Sequence, residues 1–285
     1  MNISPISTID IDGREFLVKR DDLFDPFLAG NKYRKLHKLL NTPKQHLDKI
    51  ISYGGTQSNA MLAISAMCNA KGWEFIYYTK PLSKKLAQNP SANLKNALAL
   101  GMNHIEIEYE LYRDFISSLS ITLDERTFLI DQGGAVLEAR DGLRVLADEI
   151  KEQSKEFSFD AIATPSGTGT TALYLALELP EYKVYTVPCV GDEVYLKEQM
   201  RAIGDIPKNL HILTPKRKYH FAKPYKEFLD IYHKTKDAGV EFDLLYAPSM
   251  WINLLEQTYE KILYVHSGGV SGNGSMLERY SQKKF

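Results

Sequence analysis

The strongest constraint on this chain is the regular alternation of short β-rich runs with helical patterns over most of its 285 residues. Runs at 49–53, 74–79, 104–107, 128–130, 159–164, 184–190 and 261–266 have the length and the β-branched and aromatic content of buried strands. Helical stretches lie between them. One is rich in small residues from Ser58 to about Lys71, and another covers 93–100 and is closed by Gly101. An amphipathic stretch from about Leu137 to Glu152 carries Leu143, Leu146, Ala147 and Ile150 at helical spacing, and a further helix runs through Leu173, Leu175, Ala176 and Leu177. Such alternation predicts parallel sheet flanked by helices, with right-handed crossovers and ligands at the carboxyl edge of the strands. No repeat, low-complexity tract or linker interrupts the pattern, so any division into domains is an internal cleft.

Charge narrows the function classes. With 35 basic against 36 acidic residues the net charge is −1, which offers no nucleic-acid or membrane surface. The densest basic stretch, Lys216-Arg217-Lys218, reads as a solvated turn. Two cysteines, Cys68 and Cys189, make no disulfide framework and have no metal-ligand spacing; Cys68 reads as a small apolar packing residue. No His/Cys/Asp/Glu cluster has metal spacing and no serine-hydrolase elbow is present, so no metal is expected. There is no apolar run of membrane length. The first residues, with Asp10, Asp12, Arg14 and Glu15, lack a signal-peptide core, and a cytoplasmic location is expected.

Three strand-to-helix turns are unusually small and polar. The first runs from Tyr53 through Gly54-Gly55 to Thr56, Gln57, Ser58, Asn59 and Ala60. It reads either as an ordinary N-cap, which needs only one of these residues, or as a carboxylate seat. In the second reading the N–H groups of Thr56, Gln57, Ser58 and Asn59 face a substrate carboxylate, and the Asn59 amide meets a cofactor oxygen. The second turn, Thr164-Pro165-Ser166-Gly167-Thr168-Gly169-Thr170-Thr171, suits a phosphate bound without metal, or a simple capped helix. It lacks the Gly-Lys-Ser/Thr of a Walker loop and the three-glycine dinucleotide spacing. The third, His266-Ser267-Gly268-Gly269, brings a neutral hydroxyl to a strand end; His266 reads as a structural residue.

Lys32 opens a helix just after Gly30-Asn31. Its backbone fixes the stem, and its amine can reach a cofactor aldehyde; the alternative is a solvated surface cation. Tyr246, after a short apolar run, reads alone as packing.

The ordered set is more specific than its parts. Lys19-Arg20-Asp21-Asp22, Gly30-Asn31-Lys32-Tyr33-Arg34-Lys35-Leu36, Gly-Gly-x-x-Ser58-Asn59, the Ser166–Thr171 loop, Tyr246 and His266-Ser267-Gly268-Gly269 follow one another over roughly residues 14–275. Together they resemble the pyridoxal phosphate (PLP)-dependent D-cysteine desulfhydrase and 1-aminocyclopropane-1-carboxylate (ACC) deaminase family. The resemblance implies a two-domain α/β parallel-sheet fold of PLP fold type II, the tryptophan-synthase-β-like class. It implies a large PLP-binding domain from residues 1–41 plus 142–285, a small inserted domain at 42–141, a homodimer and a small amino-acid substrate. By the same likeness Lys32 matches the Schiff-base lysine, and Lys35 a second lysine one turn on. Ser58 and Asn59 match the pair that contacts substrate carboxylate and cofactor. Gly167, Thr168, Gly169, Thr170 and Thr171 match the phosphate cup, and Ser267 faces the pyridine nitrogen. Lys32, Ser58 and Tyr246 form the expected catalytic set.

The chain departs from the family at three positions. Ala60 replaces a histidine after the Ser-Asn pair. Ala247 stands where the deaminases carry glutamate and the desulfhydrases threonine. Phe221 aligns with a second family tyrosine, with Tyr219 as a possible substitute. A neutral hydroxyl at the pyridine nitrogen leaves the ring a weaker electron sink, which suits loss of a good leaving group better than opening a ring that has no α-proton. The expected reaction is therefore β-elimination, D-cysteine to pyruvate, sulfide and ammonia. ACC deamination, a lyase for D-serine or another β-substituted amino acid, and a non-catalytic PLP-binding protein are the alternatives.

Overall fold

A computed structural model describes residues 3–28, 30–121, 123–134, 139–283 and 285. The strands are β1 (Ile6–Ile11), β2 (Arg14–Lys19), β3 (Lys49–Tyr53), β4 (Glu74–Thr79), β5 (Asn103–Glu106), β6 (Thr127–Ile130), β7 (Ala161–Ala163), β8 (Lys183–Thr186), β9 (Leu210–Ile212) and β10 (Ile262–Val265). They form two sheets. One has six strands in the order β1-β2-β10-β7-β8-β9, and the other has four in the order β5-β4-β3-β6. Every pairing is parallel except β1 with β2.

That exception is an N-terminal hairpin outside the expected alternation. Its turn is Asp12-Gly13, both residues at positive φ (54° and 78°), the conformation a two-residue hairpin of matching twist requires.

Helices occupy the crossovers and faces. Before and within the four-stranded sheet they are α1 (Gly30–Lys35), α2 (His37–Asn41), α3 (Asn59–Lys71), α4 (Lys84–Gln88), α5 (Ala92–Ala99) and α6 (Tyr109–Ser118). The remainder are α7 (Ala139–Gln153), α8 (Thr170–Glu178), α9 (Glu193–Arg201), α10 (Lys226–Asp237), α11 (Ala247–Gln257) and α12 (Asn273–Ser281). The start expected near Leu137 lies outside the described residues.

Strand periodicity divides the core of the larger sheet. Leu17, Ile162, Leu263 and Val265 point to one face, where they meet Leu143, Leu146 and Ile150 of α7 and Leu173 of α8. Phe16, Val18, Ala161, Ile262 and Tyr264 point to the other, against Met250, Trp251 and Leu254 of α11 and Ile231 of α10. Both faces being covered, β7 and β10 are buried at every residue, which is why they read as unbroken apolar runs. A third core, with Ile50, Met61, Leu62, Phe75, Tyr77 and Leu94, lies on the smaller sheet and includes Cys68.

Local chemistry sets the boundaries. Ser58 caps α3 through its side chain, which accepts from Met61 N–H, and Gly72 closes the helix in a left-handed conformation. β8 stops at Thr186, short of the expected 190, because Pro188 has no N–H for the ladder; only an isolated bridge joins it to Ser166. A buried ionic cluster ties α1 to the larger sheet. The Arg34 guanidinium donates to Asp21 (2.9 and 2.8 Å) and to Glu149 (2.7 and 2.7 Å), and the Lys19 amine donates to Glu149 at 2.8 Å.

Candidate active site

All three small, polar turns line one cavity of about 350 Å³, together with Lys32 and Lys35. They follow β3, β7 and β10 at the carboxyl ends, where open parallel sheets collect ligands. The cavity is of the size expected for a small ligand or cofactor.

Lys32 enters from α1, whose first turn sits on the turn after β10: Asn31 N–H donates to the Ser267 carbonyl at 3.2 Å. The Lys32 amine is not a surface cation. It donates to the Gly133 carbonyl at 3.2 Å, and burial lowers its pKa to about 8. Lys35, one turn on, donates to the same carbonyl at 3.4 Å. Burial, and then the charge of Lys32, push Lys35 well below the usual lysine range. Gly133 lies in the segment after β6 and gave no side-chain signal in the sequence.

The loop from Gly167 to Thr171 opens α8. Among the described residues none of its backbone N–H groups is taken by another protein group, so the donors and the positive helix end are free for an anion. Ser166 belongs to the scaffold rather than the cup. Its hydroxyl is buried against Thr186 Oγ1 at 2.6 Å. Thr168 and Thr170 pair their hydroxyls at 3.0 Å at the cavity wall. A β-carbon on Gly167 would lie 3.3 Å from the Tyr246 ring, so the phenol leans directly over this loop.

The corner after β3 is less open than expected. Ser58 N–H donates to the Gly55 carbonyl at 3.1 Å, so it is not a free donor. The Ser58 hydroxyl also serves as the helix cap, accepting from Met61 N–H at 3.2 Å. Thr56 does not line the cavity, whereas Gln57, Ser58 and Asn59 do. The Gln57 side chain is occupied by the start of α5, donating to the Ser91 carbonyl and accepting from Asn93 N–H.

Ser267 lies 3.3 Å from Thr164 Oγ1, at the strand end where its hydroxyl was expected. His266 beside it is fully engaged. One ring nitrogen accepts from Gly268 N–H at 3.0 Å, the other lies 2.9 Å from the Glu241 carbonyl, and the ring stacks on Phe242.

Tyr246 is held by a residue that the sequence reading passed over. The Asp243 carboxylate accepts from the N–H groups of Leu245 (2.9 Å), Tyr246 (2.6 Å) and Ala247 (3.3 Å), an Asx-type cap at the start of α11. The signal was an aspartate a few residues ahead of Pro248, a helix-start pattern. Burial, and then the nearby Cys189 and Asp243, push the Tyr246 phenol above its usual range, so it stays protonated. Phe221 packs on it with ring centroids 5.2 Å apart, and Tyr219 turns away, edge-on to Tyr225 and tilted against Phe228. Phe221, not Tyr219, therefore faces the site.

No protein-family model matches the chain. A putative ACC deaminase of Thermotoga maritima is 25% identical across 91% of this chain and 90% of that protein. A bifunctional D-cysteine desulfhydrase/ACC deaminase of Arabidopsis thaliana is 26% identical across 91% of this chain and 73% of that protein. The solved structure of an ACC deaminase homologue superimposes with a TM-score of 0.79 over 98% of this chain and 94% of that one, at 23% identity. The chain is a homologue of the ACC deaminases and D-cysteine desulfhydrases. A PLP-dependent aspartate racemase shares the fold at a TM-score of 0.66 over 94% of this chain and 90% of that one, at 11% identity, so the fold is that of PLP fold type II.

The cavity fits PLP on its own geometry. It combines a buried amine with a lowered pKa, an unused set of backbone donors and a neutral strand-end hydroxyl, with an aromatic wall beside them. Among the described residues no cluster of His, Cys, Asp and Glu could hold a metal, and no helix is long and apolar enough to cross a membrane.

Proposed function

We propose that the chain is a PLP-dependent lyase for a small β-substituted amino acid, converting D-cysteine and water to pyruvate, hydrogen sulfide and ammonia. One observation carries this reading. The Lys32 amine, lowered to about 8, shares a 350 Å³ cavity with the free N–H groups of the loop at Gly167, Thr168, Gly169, Thr170 and Thr171.

PLP, when bound, supplies an aldehyde for amine attachment and a ring that stabilises negative charge at the substrate α-carbon. The loop and the α8 N-terminus would hold its phosphate, and Lys32 would anchor it. A lysine with a pKa near 8 is partly neutral at physiological pH, so the Lys32 amine would accept the substrate α-proton. The backbone N–H groups of Gln57 and Asn59, and the proton of the Ser58 hydroxyl whose oxygen serves the cap, would orient the substrate carboxylate, with Thr56 outside the contact set. Tyr246, kept protonated, donates to the departing β-substituent. Ser267 would offer the pyridine nitrogen a neutral group.

The surroundings of α11 favour β-elimination over ACC ring opening. Position 247 offers no carboxylate, and the nearest one, Asp243, is committed to three backbone N–H groups. Phe221 places a ring without a hydroxyl over Tyr246. Those altered positions, with Ala60, also support D-serine or another β-substituted amino acid as the second reading. By the family resemblance the protein is a homodimer with a small domain at 42–141 inserted between 1–41 and 142–285.

The test is a keto-acid assay over D-cysteine, L-cysteine, D-serine and ACC, with borohydride trapping of the cofactor. D-cysteine should be preferred, and one trapped lysine, Lys32, should be found. Turnover at the wild-type rate by Lys32→Ala would refute the assignment. A trapped cofactor without keto acid from any substrate would leave a PLP-binding protein instead.

A further inference from the structure

We propose that Asn93 is a positioning residue that sets which end of the Asn59 amide faces the cofactor. The inference rests on the PLP reading above and concerns a residue outside the expected site.

Asn93 is fully buried at the start of α5, in the smaller sheet's layer. Every polar group of its side chain is used. Nδ2 donates to the Gln57 carbonyl at 3.1 Å and to Asn59 Oδ1 at 2.8 Å, and Oδ1 accepts from Ser271 Oγ at 3.2 Å. Its backbone N–H donates to Gln57 Oε1 at 3.1 Å. Ala92, just before it, holds a left-handed conformation with φ of 46°, a strained state for a residue with a β-carbon. That turn delivers Asn93 to the corner.

The orientation of both amides follows from one fixed acceptor. A backbone carbonyl can only accept, so the Asn93 atom facing Gln57 O must be the NH2 nitrogen. The same nitrogen meets Asn59, whose facing atom must then be its oxygen. The Asn59 nitrogen is thereby turned away from Asn93. It lies under the Gly268-Gly269 turn, where a β-carbon on Gly269 would come within 2.7 Å of it. Among the described residues it donates no hydrogen bond, and Asn59 lines the cavity. The cavity is thus offered a donor, which suits the anionic ring oxygen of PLP; a flipped amide would offer an acceptor and repel it. Ser271, from the turn after β10, locks Asn93 from the other sheet's side.

Asn93→Asp tests this with little change of shape. It keeps the acceptor for Ser271 Oγ and replaces the deciding NH2 by oxygen, so Asn59 should flip to donate to it. Apo-protein would be titrated with PLP, and the visible band of the Lys32-bound chromophore followed against pH. We expect binding about tenfold weaker and a band midpoint raised by about one pH unit, because a lost donor no longer stabilises the ring oxygen's negative charge. Asn59→Ala should show the same two changes, and the double variant should be no worse than Asn59→Ala alone. Asn93→Ala, which removes the amide without adding charge, should weaken PLP binding in the same direction if the aspartate variant does not fold. Wild-type affinity and midpoint in both Asn93 variants, or a defect that adds in full to that of Asn59→Ala, would overturn the proposal. A wild-type protein that forms no visible band with PLP would instead refute the cofactor reading, and the inference would fall with it.

Discussion

A β-carbon placed on Gly30 would lie 2.1 Å from both the carbonyl carbon and the carbonyl oxygen of Ser267. The lysine-bearing helix is therefore seated directly on the backbone that ends β10, and its register is set by the absence of a side chain. Gly30 also has a φ of 59°, in the left-handed region. Sequence position 30 thus fixes the distance between the Lys32 stem and the Ser267 hydroxyl.

Gly30→Ala should consequently damage both stability and the site. Overpacking against immovable backbone, with the left-handed penalty added, should cost roughly 2–5 kcal/mol. Urea unfolding of apo-protein reads the loss, and PLP occupancy should fall with it. A variant of wild-type stability would mean that α1 can back away from Ser267.

Attachment of PLP should depend on the protonation of Lys32. Only the neutral amine attacks an aldehyde, and burial places the pKa at about 8. The rate of cofactor capture by apo-protein should therefore rise with pH and reach half its plateau near 8. An ordinary exposed lysine would place that midpoint near 10.4. Stopped-flow absorbance distinguishes the two.

Arg34→Met should be among the most destabilising single changes. It leaves Asp21 and Glu149 buried without their main partner, a loss of roughly 3–5 kcal/mol for a broken buried pair. Burial alone would raise the Glu149 carboxyl, but Arg34 and then Lys19 hold it below the ordinary range. A depressed folded-state value means that the stabilisation is present at neutral pH. It is lost as pH falls below about 4.3, the free glutamate value. Denaturant midpoints at pH 7 and pH 4 should show the gap between wild type and variant narrowing in acid.

Phe221→Tyr should alter selectivity with little effect on folding. Phe221 is 44% exposed, so an added hydroxyl should change stability by no more than about 0.5 kcal/mol. The added phenol would stand over Tyr246, and the ratio of ACC to D-cysteine turnover should rise. An unchanged ratio would show that position 221 does not control the choice of substrate.

Much of this was legible in the sequence because it depends on residue type at fixed spacing. The strand–helix alternation, the Ser58 cap, Lys32 on a helix start and the glycine-threonine loop are all local patterns. Other parts were hidden for physical reasons. The Gly133 carbonyl that holds both lysines is backbone, and a glycine at a φ of 77° reads in the sequence only as a turn. Asn93 acts by long-range hydrogen bonds to Asn59 and Ser271, which local pattern cannot pair. Asp243 looks like any helix-start aspartate until its carboxylate is seen fixing Tyr246. The N-terminal hairpin carried a readable Asp12-Gly13 signal, but its strands stand outside the parallel alternation that organised the rest.

The oxygen of residue 133 is one acceptor shared by two amines, and it belongs to the segment following β6, whereas both amines rise from α1. Sliding the smaller sheet against the larger would withdraw that anchor from the pair in a single movement. Any opening of the cleft would therefore release the Lys32 and Lys35 amines together.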